Sequence, residues 1–296
     1  MNSIIQSVAT GAEDRLWYCR RSDLFAHSPE SLGEDGAWFA APYTVCVELS
    51  RHCNFRCKLC ISDSSPDHEK GGEWVSKALT DIFEAFGAVR IVWSGGEPTL
   101  HPNLKQQIQA SHELGNANVL VTNASNFIGD AAVDWIDISI YGHSKESVRD
   151  FTGVPIFGKI MRNLRLYCSE YERVSASFVL GAHSFAAIKA MIDMAINAGV
   201  TRLKFHRLSR TGRNELVHQI DDGSPEAALI QDYLRDLKVE ASFSRTSSSE
   251  HKRRGYWVAK PPGILTNSEE SIALPDKIAL ANGVNRFNTD NKTIFS

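Results

Sequence analysis

The alternation between residues 43 and 210 constrains this chain most. Short β-rich runs at Tyr43–Leu49, Val89–Trp93, Asn118–Val121, Ile136–Tyr141, Val174–Leu180 and Val200–Arg207 alternate with helical patterns. Val75–Phe86 places Ala78, Leu79, Ile82, Phe83 and Phe86 on one helical face. Pro102–Leu114, a short stretch around Asp130–Trp135, Phe157–Cys168 and Phe185–Ala198 also read as helix, the last stopped by Gly199. Strands alternating with helices build parallel β/α units with right-handed crossovers, so the fold class is α/β. An open doubly wound sheet and a partial barrel both satisfy this pattern.

The flanks depart from it. Residues 1–42 are a lead-in, where Asp14–Phe25 reads as a short helix or irregular chain and Ser28–Gly36 as a loop. Residues 43–213 form the core. Residues 214–296 are an extension expected to pack against the core, with a helix at Ser224–Leu237 and a Ser-rich loop at Ser242–Ser249. The 296 residues, 43% hydrophobic and 23% charged, suit an ordinary globular protein. A formal charge of −3 argues against a general polyanion binder, so no nucleic-acid partner is expected. Six scattered cysteines, three of them clustered, make no secreted disulfide framework and fit a reducing compartment. The first residues lack a signal-peptide pattern, and no run reaches the ~18 apolar residues of a membrane span. The expectation is a soluble cytoplasmic protein with no membrane partner.

The first strand leads into Glu48-Leu-Ser-Arg-His-Cys-Asn-Phe-Arg-Cys-Lys-Leu-Cys60. Cys53, Cys57 and Cys60 are separated by three and two residues, in a loop made polar by His52, Asn54, Arg56 and Lys58. Zinc and most electron-transfer clusters take four protein ligands, and this loop offers three. A cluster held by three thiolates keeps one iron open for a small molecule. Three buried, unliganded thiols are the bland alternative. The second strand runs into Ser94-Gly95-Gly96-Glu97-Pro98, where glycines permit close backbone approach and Pro98 fixes the exit.

The cysteine spacing and the Gly-Gly-Glu-Pro turn on the next strand together resemble the signature of the radical S-adenosylmethionine (radical SAM) enzymes. The resemblance covers roughly residues 43–210 and implies a partial (β/α)6 barrel, with its active face at the C-terminal strand ends. It implies that Cys53, Cys57 and Cys60 hold a [4Fe-4S] cluster whose open iron chelates S-adenosylmethionine. Reduction by an external donor of flavodoxin or ferredoxin type would then generate a 5′-deoxyadenosyl radical. Gly95, Gly96, Glu97 and Pro98 would meet the methionine ammonium through carbonyls and the Glu97 carboxylate. Asn123, after Thr122 at the end of strand three, and Ser139 on strand four would touch the ribose or the carboxylate, with Arg149 a further candidate. Leu59 stands where the family often has an aromatic against the adenine.

The sequence holds no cysteine after Cys168, so residues 169–296 hold no cysteine-rich extension for further clusters, and Cys46 and Cys168 read as structural. Lys204, His206, Arg207, Arg210 and Arg213, with Arg253 and Arg254 beside Tyr256 and Trp257, would favour a small anionic substrate such as a nucleotide or sugar phosphate if they gather at the active face. A solvated surface run, or for His206 a core position, is the competing reading. A peptide-modifying maturase is the alternative enzyme, and a non-catalytic metal-binding protein the alternative from another class.

Overall fold

The computed structural model describes residues 44–86, 90–206, 213, 225–237 and 239–243, together with further strands in the two flanks. Its main sheet begins with β4 (Thr44–Glu48) and continues through β5 (Arg90–Ser94), β6 (Ala117–Thr122), β7 (Trp135–Ser139), β8 (Val174–Val179), β9 (Arg202–His206) and β10 (Glu240–Phe243). These strands lie in chain order and are all parallel. On the free side of β4 the order continues with β11 (Tyr256–Lys260), parallel, then β12 (Ile264–Thr266) and β13 (Ser271–Ala273), antiparallel. The ten-stranded sheet does not close. This is the expected partial barrel, one parallel strand longer on each side than the sequence pattern indicates.

Several local expectations need correction. Asp14–Phe25 is not helical: β1 (Ile5–Ala9), β2 (Arg15–Cys19) and β3 (Leu24–Ala26) form a separate antiparallel sheet. The proposed Ser-rich loop begins inside β10, where Phe243 stacks on Phe205 at 4.8 Å and Phe205 on Phe178 at 5.3 Å. Paired phenyls at matching register join β10 to β9 and β8. The stretch around Asp130–Trp135 is irregular up to the start of β7, with Asp130 at φ 51°. The Asp134 amide donates to Asn118 O (2.8 Å) and the Asn118 amide to Asp134 Oδ2 (2.8 Å), which ties the stretch to β6. Just before it, Tyr167 Oη on α4 (Phe157–Glu170) meets the Asn126 carbonyl (3.1 Å) and the Ile128 amide (3.2 Å), while Tyr171 Oη at the C-cap of α4 meets the Ile128 carbonyl (2.9 Å) and the Ala131 amide (3.3 Å). Partners on other elements thus satisfy the backbone here.

The other helices follow local chemistry. α1 (Val75–Phe86) and α2 (Leu104–Glu113) flank β5. α3 (Lys145–Thr152), which the sequence pattern does not reveal, begins in a Ser144–Ser147 capping box and stops at left-handed Gly153. α5 (Phe185–Ala198) runs from the Ser184 cap to Gly199 at φ 102°. α6 (Pro225–Arg235) precedes β10. None of the helices among the described residues is long and apolar enough to cross a membrane.

The two faces of the sheet differ chemically. Val45, Val47, Ile91, Trp93, Leu120, Ile136, Ile138, Ala176, Phe178, Leu203 and Phe205 share one face and pack with Leu79, Ile82, Ile108, Leu164 and Met191 of the helices in a single core. The opposite face carries Glu48, Arg90, Ser94, Asp137, Ser139, Ser175, Ser177, Arg202, Lys204 and His206. Parallel sheets ordinarily bury apolar side chains on both faces. That opposite face also carries Cys46, Val92, Val119, Val121 and Trp135, so it is mixed, with its polar side chains gathered on β7, β8 and β9.

Phe178→Ala should cost about 3–5 kcal/mol in urea unfolding, since it removes a fully buried ring from the core and from the stack that carries β10.

Candidate functional site

The cysteine loop extends the β4–β5 ladder beyond the strands. Leu49 N donates to Ser94 O (3.1 Å), Gly96 N to Ser50 O (2.7 Å) and Glu97 N to His52 O (2.9 Å). The approach is so close that a Cβ on Gly96 would overlap the His52 carbonyl, and one on Gly95 (φ 112°) would lie 2.5 Å from Ser50 O. Two glycines are required here on steric grounds. On its far side the loop is held by α3: Arg56 N donates to Thr152 O (2.9 Å) and Lys58 N to Phe151 O (3.0 Å). Cys53, Phe55 and Cys57 turn inward while Arg56 and Lys58 face solvent, so fully buried Phe55 anchors the loop between two thiols.

The three thiols lie near enough to sense one another's charge. Burial, together with the charges of Glu97 and Cys60, pushes Cys53 up to about 12 against a backbone hydrogen bond from Phe55. Burial and then the charges of Cys53 and Cys60 push Cys57 higher still. The sulfurs nevertheless receive N–H donors. Phe55 N points at Cys53 Sγ (3.4 Å), Asn123 Nδ2 also at Cys53 Sγ (3.8 Å), and Ser64 N at Cys60 Sγ (3.3 Å). Thiols crowded together, costly to ionise alone and supplied with N–H donors, suit thiolates stabilised by metal. Among the described residues, no three His, Cys, Asp or Glu side chains close on a single ion. A cluster in which each thiolate takes its own iron makes no such demand.

Glu97 is 4% exposed, and both oxygens of its carboxylate accept hydrogen bonds within the protein. Oε1 accepts from Thr99 N (3.2 Å), Thr99 Oγ1 (2.6 Å) and Thr122 Oγ1 (2.6 Å), and Oε2 from Asn123 N (2.8 Å). A carboxylate has about four acceptor positions. Burial pushes its carboxyl up, and the hydrogen bonds from Thr122, Thr99 and Asn123 pull the other way. Glu97 thus ties the turn to the end of β6, and the turn's carbonyls face the loop. Pro98 is buried and opens a single 3-10 turn capped by Glu97. Asn123 also bonds Asn54 Oδ1 (3.1 Å), placing the end of β6 against the loop. Ser139, half-buried at the end of β7, bonds Tyr141, whose hydroxyl feels the charges of Cys57, Cys60 and Cys53. Leu59 is half-buried against the core.

Other sequence candidates go elsewhere. Arg149 is more than half exposed on α3 and pairs with Asp150 at 3.3 Å. Cys168 is half-buried on α4 beside Gly199, and Cys46 is buried in β4. Lys204 Nζ pairs with Asp137 Oδ2 (3.1 Å), and Arg213 is taken up by the cysteine loop. Arg207, Arg210, Arg253 and Arg254, with the side chains of Tyr256 and Trp257, lie outside the described residues. The basic set therefore does not present Lys204 or Arg213 as unpaired cations.

Asp137 was missed because it sits inside an apolar run. It accepts from Ser175 Oγ (3.0 Å), Ser177 Oγ (2.6 Å) and Lys204, on the polar face. Burial alone would raise its carboxyl. The Lys204 ammonium, then His206, and hydrogen bonds from Ser177 and Lys204 hold it below its usual value. Since Ser177 gives its proton to Asp137, it accepts from His206 Nε2 (3.2 Å). Burial lowers the His206 pKa against the pull of Asp137, so the ring is neutral at pH 7 and Nδ1 is its acceptor.

Gly96→Ala should lower stability by about 1–3 kcal/mol in thermal or urea unfolding through overpacking, whereas Gly158→Ala, which meets open space on α4, should be neutral or slightly stabilising. Asp137→Asn strands the Lys204 charge and should cost about 3 kcal/mol at pH 7. Because the folded pKa of Asp137 is depressed, its contribution is complete above the unfolded value of about 3.9 and fades as pH falls through the folded one. Melts of wild type and variant should therefore converge only below about pH 4.

Comparison with known proteins agrees with this geometry. The family model described as the radical SAM superfamily matches residues 47–195, half of the chain. A probable GTP 3′,8-cyclase of Saccharolobus islandicus is 23% identical over 259 residues, covering 83% of this chain and 80% of that protein. One from Metallosphaera sedula is 23% identical over 256 residues, covering 83% and 78%. Among solved structures, Streptococcus suis SuiB bound to S-adenosylmethionine superposes with a TM-score of 0.65 at 14% identity, covering 82% of this chain. This chain spans 65% of SuiB, and the likeness is one of fold. The family match, with the three-thiol loop and the glycine turn packed against it, places the chain in the radical SAM superfamily.

Proposed function

We propose that this radical SAM enzyme takes a hydrogen atom from a small polar metabolite of nucleotide or sugar-phosphate type, bound against the inner face of the sheet. The observation that carries this reading is the hydrogen-bonded network of Asp137, Ser175, Ser177, Lys204 and His206 on a face that parallel sheets normally keep apolar. The names of the two archaeal relatives, probable GTP 3′,8-cyclases, support a nucleotide.

The cofactors are a [4Fe-4S] cluster and S-adenosylmethionine, which, when bound and reduced by an external one-electron donor, supply a 5′-deoxyadenosyl radical for hydrogen abstraction. The protein's part is binding, orientation and exclusion of water. Cys53, Cys57 and Cys60 would each take one iron. The carbonyls of the Gly95–Gly96 turn would accept the methionine ammonium, while Glu97 and Pro98 hold that turn in place. Among the described residues, Glu97 Oε2 accepts only from Asn123 N, so it would share the ammonium with those carbonyls. Asn123 and Ser139, at the ends of adjacent strands, would bond the ribose or carboxylate, and Leu59 would cover the adenine. His206 Nδ1 would accept a hydrogen bond from a substrate hydroxyl or amine.

Anaerobic reconstitution should load about four irons per chain and give dithionite-dependent release of 5′-deoxyadenosine, increased by GTP or a sugar phosphate. Cys57→Ala should abolish release. An intact cluster that yields no more deoxyadenosine with any of these compounds than without them would overturn the nucleotide or sugar-phosphate reading. Stimulation only by peptides would replace the metabolite with a peptide substrate.

A further inference from the structure

Arg213 lies beyond β9 and 156 positions after Cys57, yet it is bound to the cysteine loop at four points. Its Nε donates to Cys57 O (2.9 Å), Nη2 to Ser64 O (2.6 Å) and Nη1 to Asp63 Oδ1 (2.9 Å), while its backbone N donates to Cys60 O (3.0 Å). One residue thus bridges the carbonyls of two of the three thiol-bearing residues and the return strand behind them. The guanidinium side chain is 23% exposed, whereas its Asp63 partner is 54% exposed. The carboxylate is thus the better screened of the two charges, and the guanidinium is held 2.9 Å from the carbonyl of Cys57.

We infer that Arg213 is a positioning residue for the cluster: its fork of donors sets the curvature of the Cys57–Ser64 segment, and its fixed charge raises the cluster's reduction potential. The inference rests on reading Cys53, Cys57 and Cys60 as cluster ligands. Net charge, hydrogen bonding and solvent exposure all set the potential of an iron–sulfur cluster. Reduction adds one electron, and therefore one negative charge, so a nearby cation favours the reduced form. A planar guanidinium meets the two carbonyls and the carboxylate from three separate nitrogens in a fixed fork, and lysine would keep the charge but gather its donors on one atom. The alternative role in gripping a substrate anion would require a guanidinium free of these bonds.

Two full-length variants, reconstituted anaerobically without substrate, separate charge from geometry. Arg213→Gln should shift the midpoint potential in an EPR-monitored redox titration to more negative values. Arg213→Lys should leave the potential near that of wild type, but alter the EPR line shape of the reduced cluster and speed iron release to a chelator. Wild-type potential and spectrum in Arg213→Gln, at full iron content, would overturn the inference while leaving the radical SAM reading intact. If Arg213→Gln does not fold, Arg213→Lys decides: wild-type line shape and chelation rate would overturn the role of the fork. Failure of the wild-type protein to assemble any cluster would instead remove the reading on which the inference rests.

Discussion

The site depends on one close backbone approach. β4 and β5 are ordinary parallel neighbours up to Glu48 and Ser94, but their pairing does not stop where the strands end. The Gly96 amide reaches Ser50 O at 2.7 Å and the Glu97 amide reaches His52 O at 2.9 Å, so the cysteine loop starts from a fixed register. Side chains at residues 95 and 96 would hold the two segments apart. Cysteine spacing alone could not make three thiols converge. The loop that carries them is fixed because its first residues are locked to the turn, its middle to α3 through Phe151 and Thr152, and its end to Arg213.

Glu97 carries that order to the next strand. Its carboxylate is buried, raised by desolvation, and stabilised by donors from Thr99, Thr122 and Asn123. A half-satisfied carboxylate at this depth would be a liability of several kcal/mol. These bonds make it a link between the turn and β6, and the link brings Asn123 within reach of Cys53 and Asn54. The acid of the motif thus fixes the turn that packs against the cysteine loop.

Much of this was legible in the residues, and the failures have physical causes. The six core strands and the cysteine and glycine segments were readable because each is a local pattern: a β-rich run, a fixed spacing, a turn residue. The segment at Asp130–Trp135 was misread because its anchor is β6, through paired bonds between Asp134 and Asn118, and not its own helical turns. β10 was hidden because two of its four residues are exposed and its order depends on phenyl rings of two other strands. Asp137 falls within an Ile-rich strand, and only the register with Ser175 and then Arg202 reveals a polar face. A charged residue's role was least legible of all, since it depends on which partner the fold delivers.

That last point bears on specificity. Lys204 and Arg213 appear in the sequence as part of one basic stretch, yet the fold separates their work. Lys204 answers the buried charge of Asp137 and lies over Trp135 at 5.3 Å, and Arg213 answers the carbonyls of the cysteine loop. Arg202, between them and the sheet edge, pairs with Glu240 at 3.2 Å and lies over the same indole. Among the described residues, Arg202, Lys204 and Arg213 are therefore each already paired. Near the ends of β7, β8 and β9, Ser139 is bonded to Tyr141, and Ser177 to both Asp137 and His206, so these polar side chains hold one another in fixed directions. Fixed directions are what orienting a single bond requires, and an unscreened charge does not supply them.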